Sequence, residues 1–245
     1  MKKYVMGNWK SNGTTEMIHA FREAMPQLTE AAGNNANLGL ALPYHLLIQG
    51  NKMEGMATGG QQVSRFPEGA YTGEITGNML KASGCNFCLV GHSERRQYFH
   101  ETVADTGERI GRLIDTGLLP VLCIGETLEQ RQAGQLTEVL SEQLGPLDAL
   151  DGNTELVVAY EPVWAIGTGV AATPEDVAGA HANIKEMLAK KGFCNDTAIL
   201  YGGSVKGANA AELAAIDNVD GFLVGGASLK PQDFLAIIKG FVSQS

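Results

Sequence analysis

Four residues with side chains suited to proton transfer or to the stabilisation of an oxyanion stand at or near the ends of apolar runs of this 245-residue sequence. Asn8 and Lys10 follow Y-V-M-G, His92 follows F-C-L-V-G, and Glu161 follows V-V-A-Y. A carboxylate can act as a general base, while a cation and an amide can stabilise a developing oxyanion. If the segment from Asn8 to Lys10 stays extended, its two polar side chains point the same way.

Glu161 leads into a proline and a loop that contains Trp164 and Ile166. Pro162 biases Glu161 toward an extended backbone, which aims its side chain. A loop with two large apolar groups is expected to cover something. Removal of water by such a loop would raise the pKa of the Glu161 carboxyl and strengthen it as a base.

His92 differs from the other histidines by its position between F-C-L-V-G and S-E-R-R, where a helix begins. A helix N-terminus disfavours the imidazolium, so we expect a lowered pKa and a neutral ring that donates a hydrogen bond. His19, His45, His100 and His181 fall in helix-like or loop stretches, and we expect them to be ordinary surface or core residues.

Two glycine pairs, Gly202-Gly203 and Gly225-Gly226, each follow an apolar run directly. Glycines let backbone N–H groups approach an anion closely, and a short helix start adds a favourable dipole. The pairs therefore predict a phosphate site.

Strand-like and helix-like segments alternate along the chain. The predicted strands are 4–7, 38–42, 56–60, 87–90, 120–124, 156–160, 199–201 and 221–224, and the clearest helices are 102–116, 135–144, 174–190 and 231–242. Eight such units predict a single α/β domain, residues 1–245, folded as a closed (β/α)8 barrel of parallel strands. A doubly wound sheet is disfavoured, because G-N-W-K-S-N stands where G-x-G-x-x-G is expected. In a barrel the active site lies at the carboxyl ends of the strands, where all of these polar residues stand.

The composition narrows the possible partners and compartment. The formal net charge of −9 disfavours a nucleic acid or an anionic membrane as partner. The first residues lack an apolar h-region and no apolar run approaches the length of a membrane span, so a cytoplasmic protein is expected. The four cysteines are expected to be free thiols, and in C-N-F-C the two cysteines would point to opposite faces of a strand. No cluster with metal-ligand spacing occurs, which disfavours metal catalysis, so we expect no metal. We also expect no cofactor.

The motifs taken together resemble the triosephosphate isomerase family. They are G-N-W-K, V-G-H-S-E-R-R, C-I-G-E, A-Y-E-P-V-W-A-I-G-T-G, Y-G-G-S-V and L-V-G-G-A-S-L, and they occur in order along the whole chain. The resemblance implies a TIM barrel that interconverts dihydroxyacetone phosphate and glyceraldehyde 3-phosphate through an enediolate.

The resemblance also implies the roles of the site residues. Glu161 would be the base and His92 the neutral electrophile, roles for which this family is a standard example. Lys10 and Asn8 would stabilise the enediolate, with Glu94 as a supporting carboxylate near Lys10. Backbone N–H groups would hold the phosphate at Gly167, Ser204, Gly225 and Gly226. Ile166 and Leu229 would clamp the carboxylate of the base.

A lid and a dimer follow from the same resemblance. The lid would comprise Pro162, Val163, Trp164, Ala165, Ile166, Gly167, Thr168, Gly169, Val170, Ala171 and Ala172. Residues 61–74 would insert into a second copy beside Asn8 and Lys10, with Thr72 making the contact in a homodimer. The sequence departs from the family at Val170-Ala171-Ala172, where a lysine-threonine-alanine type is usual.

Two other functions remain compatible with the residues alone. One is another phosphate-binding barrel enzyme, such as an aldolase or a sugar-phosphate epimerase, for which Lys10 is the obvious Schiff-base candidate. The other is a barrel that binds phosphorylated metabolites without catalysis, which would keep the glycine pairs but would not need Glu161 and His92.

Overall fold

The strands close into a parallel barrel in the order in which they occur in the sequence. The computed structural model describes residues 2–165, 172–193 and 197–244. The strands are β1 (Tyr4–Asn8), β2 (Asn37–Ala41), β3 (Ala57–Gly60), β4 (Phe87–Val90), β5 (Leu119–Ile124), β6 (Val157–Tyr160), β7 (Ala198–Tyr201) and β8 (Gly221–Val224). β1 pairs with both β2 and β8, which closes the ring. The predicted fold class is therefore confirmed.

Helices follow or separate the strands in the described part of the chain. They are α1 (Thr15–Ala32), α2 (Leu47–Gly50), α3 (Gly77–Ala82), α4 (Ser93–Phe99), α5 (Val103–Asp115), α6 (Leu128–Gln132), α7 (Leu136–Gln143), α8 (Pro174–Lys190), α9 (Ala210–Ala214) and α10 (Pro231–Val242). Short 3₁₀ turns occur at Tyr44–Leu46, Gly145–Ala149, Val163–Ala165 and Gly226–Leu229. In these residues no helix is both long and apolar enough to span a bilayer.

The predicted elements differ from the observed ones only at their ends. The bounds predicted for β4, β8, α8 and α10 are those of the structure, while the other predicted ends differ by about one residue. Helix α5 is shorter than predicted because Thr102 is its N-cap, with an extended backbone and a side chain that accepts from Asp105 N–H. Helix α8 likewise begins after a capping box formed by Thr173 and Asp176.

Both faces of each strand are buried, as a helix-wrapped parallel barrel requires. In β5, Val121 and Cys123 lie in the cluster that fills the barrel, while Leu122 and Ile124 lie in the cluster between strands and helices. This alternation follows from the two-residue period of a strand. The strands thus read as continuous apolar runs, and the first polar residue after each run lies at the barrel rim.

The described cysteines are free, buried thiols: Cys85, Cys88 and Cys123. Burial raises the pKa of Cys85 to about 11 and that of Cys88 and Cys123 well above the usual value. The predicted strand geometry of C-N-F-C was wrong, because Cys85 precedes β4 and lies with Cys88 in the outer cluster. Cys194 lies outside the described residues.

His181 is a fully buried histidine on α8 that makes the fold sensitive to acid. Its Nδ1 lies 2.8 Å from the Asn218 carbonyl oxygen, and its ring packs edge-on against Tyr160. Burial lowers the pKa of His181 from 6.5 to about 4. Between pH 6.5 and pH 4 the histidine is protonated in the unfolded chain but neutral in the folded chain. The free energy of unfolding therefore falls as the pH drops from 6.5 toward 4.

We expect preferential protonation of His181 in the unfolded chain to lower the free energy of unfolding by about 3 kcal/mol between pH 6.5 and pH 4. Urea unfolding of the parent and of His181→Gln, measured across that range, checks the expectation, because the variant should show a flatter pH dependence. His19→Gln, at an exposed position of α1, is the control and should keep the slope of the parent. Equal slopes in all three proteins would contradict the assignment.

Candidate active site

A pocket of about 300 Å³ opens at the carboxyl ends of the strands. Its lining contains ten residues that the sequence pointed to: Asn8, Lys10, His92, Glu161, Gly202, Gly203, Ser204, Gly225, Gly226 and Leu229. They come from five of the eight strand ends, so the barrel closure alone brings them together. Such a convergence of titratable and glycine residues in one concave site is typical of an active site.

Glu161 and His92 contact each other at the centre of this pocket. The Glu161 Oε1 atom lies 3.1 Å from His92 Nε2, and both side chains are at least 95% buried. The backbone N–H of Glu94 donates to His92 Nδ1 at 3.2 Å. In the neutral ring the proton therefore sits on Nε2, which points into the pocket and donates to the carboxylate.

The pKa values of this pair shift in directions opposite to those predicted. Burial raises the pKa of the Glu161 carboxyl, but the His92 ring, the Lys10 ammonium and the Ser93 N–H outweigh burial and hold it below its usual value. Burial lowers the pKa of His92, but the adjacent Glu161 carboxylate raises it above 6.5. Both predictions were wrong because each considered one residue in isolation, whereas the close contact stabilises the charged form of both partners.

Lys10 adopts a backbone conformation that differs from the predicted extended segment. Its φ of 52° lies in the left-handed region, which costs a non-glycine residue about 1 to 2 kcal/mol. Asn8 Oδ1 accepts the Lys10 N–H at 2.9 Å, and Gln61 Nε2 donates to the Lys10 carbonyl oxygen at 2.9 Å. The Lys10 ammonium lies 2.5 Å from Glu94 Oε1, so the cation, the amide and the supporting carboxylate are neighbours.

The first glycine pair lies where side chains have no room, whereas a Cβ at Gly225 or Gly226 would meet no close neighbour. A Cβ on Gly202 would lie 2.7 Å from Glu161 Cγ, and one on Gly203 would lie 2.2 Å from the Tyr201 hydroxyl. Gly225 is held by Ser228, whose hydroxyl donates to the Gly225 carbonyl oxygen at 2.7 Å. The glycines of both strand ends line the pocket with backbone instead of side chains, as an anion site requires.

The segment after Glu161 is described only at its two ends. Pro162 precedes the 3₁₀ turn Val163–Ala165, and Ala172 is buried at the other end. The predicted lid residues Ile166, Gly167, Thr168, Gly169, Val170 and Ala171 lie outside the described residues. The predicted phosphate contact at Gly167 and the clamp at Ile166 therefore stay predictions.

Glu126 is a buried acid to which sequence reasoning assigned no role, although it ends the motif C-I-G-E. It is fully buried, and its Oε1 accepts from Trp164 Nε1 at 2.8 Å and from the Tyr160 hydroxyl at 3.1 Å. Its position two residues after the end of β5 was the available signal, since acids at barrel strand ends are candidates for function.

Gln61 and Lys206 were also missed. Gln61 stands directly after β3 and donates to the Ala41 carbonyl oxygen as well as to Lys10. Lys206 is exposed and lines the pocket beside the first glycine pair. Nothing in the local sequence distinguishes Lys206 from a surface lysine.

A second cleft of about 520 Å³ adjoins the pocket and shares Asn8, Lys10 and His92 with it. Its outer wall carries apolar groups, including Phe99, which is 63% exposed. Thr72 is exposed at the tip of residues 61–74, elsewhere on the same chain.

Comparison with known proteins agrees with this geometry. The family model described as triosephosphate isomerase matches residues 3–241. The chain belongs to the triosephosphate isomerase family. It is 48% identical to the triosephosphate isomerase of Paracidovorax citrulli over 245 residues, which cover 97% of each chain. The enzyme of Delftia acidovorans is 46% identical over 97% of this chain and 98% of its own length, and that of Marinobacter nauticus is 42% identical over 98% of each.

Proposed function

We propose that Glu161 is the base, and His92 the electrophile, in the reaction of the triosephosphate isomerase family. As a member of this family the chain is an aldose–ketose isomerase that interconverts dihydroxyacetone phosphate and glyceraldehyde 3-phosphate. The observation that carries the assignment is the buried contact between Glu161 and His92, in a pocket that Lys10 and Asn8 also line.

The reaction needs a base that removes a proton from one carbon and returns it to the next. The lowered pKa of Glu161 keeps the carboxylate ionised at neutral pH and therefore ready to accept a proton. When a substrate oxygen accepts the hydrogen bond from His92 Nε2–H, the Glu161 carboxylate loses that hydrogen-bond partner. It is then free to accept a proton from the adjacent substrate carbon. Displacement of the last water then makes the carboxylate a stronger base.

The enediolate oxygens would be held by His92 and Lys10. The neutral ring donates from Nε2, and its Nδ1 is already occupied by the Glu94 N–H. Lys10 supplies a positive charge whose position is set by Asn8, Gln61 and Glu94. Donors fixed in advance stabilise such a charge without reorganisation, and each is typically worth about 3 to 4 kcal/mol.

The phosphate of the triose would lie against the glycine-containing strand ends. Ser204, Gly225 and Gly226 offer backbone N–H groups there, and Gly167 is proposed as the fourth donor. Lys206 lines the same part of the pocket and adds a cation in a chain with a formal net charge of −9. The whole chain, residues 1–245, is proposed to act as one domain without a metal or a cofactor.

The assignment is tested by incubating the purified protein with dihydroxyacetone phosphate in deuterated water without added metal. Aldehyde formation and carbon-bound deuterium are followed by proton NMR, and we expect both. An aldolase that used Lys10 as a Schiff base would instead be inactivated by borohydride in the presence of substrate. Absence of turnover and of deuterium exchange would overturn the proposed roles.

We further propose that two copies of the chain associate, each inserting residues 61–74 into the 520 Å³ cleft of the other. The support is the adjacency of the cleft to Lys10 and its exposed apolar wall, together with the exposed tip at Thr72. Burial of such a wall favours association.

Thr72→Arg is expected to raise the dimer dissociation constant at least about tenfold, because a charged, longer side chain would have to enter the cleft. Sedimentation velocity across a dilution series measures the constant. Thr137→Arg, at an exposed position of α7, is the matched control and should leave it unchanged. A parent protein that sediments as a single chain at micromolar concentration would contradict the proposal.

A further inference from the structure

Arg131 on α6 contacts both ends of the segment that links Glu161 to α8. We propose that Arg131 is a positioning residue whose guanidinium ties these two ends together and so sets the placement of Glu161. The inference rests on the proposed role of Glu161 as the base, and it assigns to Arg131 no contact with substrate.

At the first end, Arg131 approaches the residues that hold Trp164. Its Cζ atom lies 5.7 Å from the centre of the Trp164 ring, and its Nη1 lies 3.5 Å from Glu126 Oε1. That same oxygen accepts from Trp164 Nε1 and from the Tyr160 hydroxyl. The backbone is also fixed here, because Val163 N–H donates to the Glu126 carbonyl oxygen at 3.1 Å.

The charge of Arg131 explains how the Glu126 carboxylate can be buried. Glu126 is fully shielded from solvent, and an isolated carboxylate in such a place is strongly unfavourable. Arg131 supplies a counter-charge at 3.5 Å. Glu126 accepts hydrogen bonds from Tyr160, which precedes the base, and from Trp164, which follows it. Removal of the Arg131 charge would therefore weaken the anchor of both residues.

At the second end, Arg131 is bound to the start of α8. Its Nη2 donates to Asp176 Oδ1. The other carboxylate oxygen of Asp176 accepts the Thr173 N–H at 3.2 Å, within the capping box that begins the helix. One guanidinium thus joins the acid beneath Trp164 to the cap of the helix that follows the proposed lid.

The planar fork of arginine is suited to this bridge. It directs several N–H donors in fixed directions, whereas the single ammonium of lysine can replace the charge without spanning both acids. A structural arginine would only stabilise the fold. If Arg131 positions the base, its substitution must also displace Glu161. That displacement would be measured as a change in kcat and in the environment of Trp164.

Arg131→Met is expected to lower kcat on the order of tenfold and to raise KM, because small displacements of a base are costly and hinge changes alter both constants. Arg131→Lys should recover part of kcat. Asp176→Asn keeps an oxygen for the Thr173 cap but removes the charge at the second end, so it should shift both constants in the same direction by a smaller factor. If Arg131→Met does not fold, Asp176→Asn tests the inference in its place.

Tryptophan fluorescence supplies a second readout, in which the change on ligand binding, and not the emission of the free protein, reports the placement of Trp164. Titration with sn-glycerol 3-phosphate, which carries the phosphate but does not react, is expected to give a different emission change in Arg131→Met than in the parent. Arg112→Met, which breaks an ion pair with Asp115 at the far end of α5, is the control and should match the parent in all measurements.

Parent-like kcat, KM and emission response in folded Arg131→Met would overturn the inference. If Glu161→Asp is fully active, the proposed base fails first, whatever Arg131 does. If Glu161→Asp loses activity while Arg131→Met and Asp176→Asn do not, the base stands and only the role of Arg131 fails.

Discussion

Glu161→Asp should fold like the parent and lose on the order of a hundredfold or more in kcat. The substitution keeps the carboxylate and its charge but withdraws it by about one carbon–carbon bond, and a misplacement of about 1 Å can cost that much in rate. The Glu161 backbone N–H donates to the Ile124 carbonyl oxygen at 2.7 Å, so the strand end cannot easily follow the shorter side chain. Steady-state kinetics in both directions of the reaction measure the loss.

Glu212→Asp, at an exposed position of α9, makes the same chemical change away from the pocket and should keep the parent kcat. Circular dichroism and the urea midpoint verify that Glu161→Asp is folded. A folded Glu161→Asp protein with a kcat within a fewfold of the parent would remove Glu161 from the role of base. Glu161 would then only be a buried hydrogen-bond partner of His92, without a role in proton transfer.

His92→Gln should lower kcat by about 10² to 10⁴, the range that general acid–base groups contribute. Glutamine keeps a neutral donor but cannot pass a proton from one nitrogen to another, and the Glu94 N–H loses its Nδ1 acceptor. His19→Gln is the control. A kcat close to that of the parent would show that the ring is not needed for proton transfer between the substrate oxygens.

The same variant should also change the titration of Glu161. The His92 ring is the largest of the groups that lower the pKa of Glu161 against the effect of burial. Without the ring the pKa of the Glu161 carboxyl rises. Carbon-13 NMR of protein labelled at the glutamate carboxyl groups should therefore show Glu161 titrating at a higher pH in His92→Gln than in the parent. An unchanged midpoint would mean that the two groups do not interact in solution.

The placement of the site could be predicted because it depends on strand ends, and strand ends are local features. Apolar runs that are buried on both faces end at the barrel rim, so the residue after each run is marked by its neighbours in sequence. Glu161, His92 and Asn8 were found in this way. Closure of the barrel then brings five such ends to one pocket without further information.

The electrostatics of the site could not be predicted in the same way. The pKa directions of Glu161 and His92 depend on a 3.1 Å contact between residues far apart in sequence. The sequence indicated the helix start beside His92 and the apolar loop after Glu161, and each suggests a shift when considered alone. Only the folded arrangement decides that the mutual attraction of the pair exceeds both burial penalties.

The residues that support Lys10 and Trp164 could not be predicted from the sequence for a related reason. Lys10 is held in a left-handed conformation by Gln61, which stands 51 positions away, and Trp164 is held by Glu126, which stands 38 positions away. No local sequence pattern around Gln61 or Glu126 predicts such a contact. The closed barrel and the strand ends that carry chemistry could be predicted from the amino-acid pattern alone, because both follow from periodicity and from residue type. The pKa shifts of the pair, the backbone strain at Lys10 and the links across the pocket required the folded arrangement, because they depend on distances that no local pattern encodes.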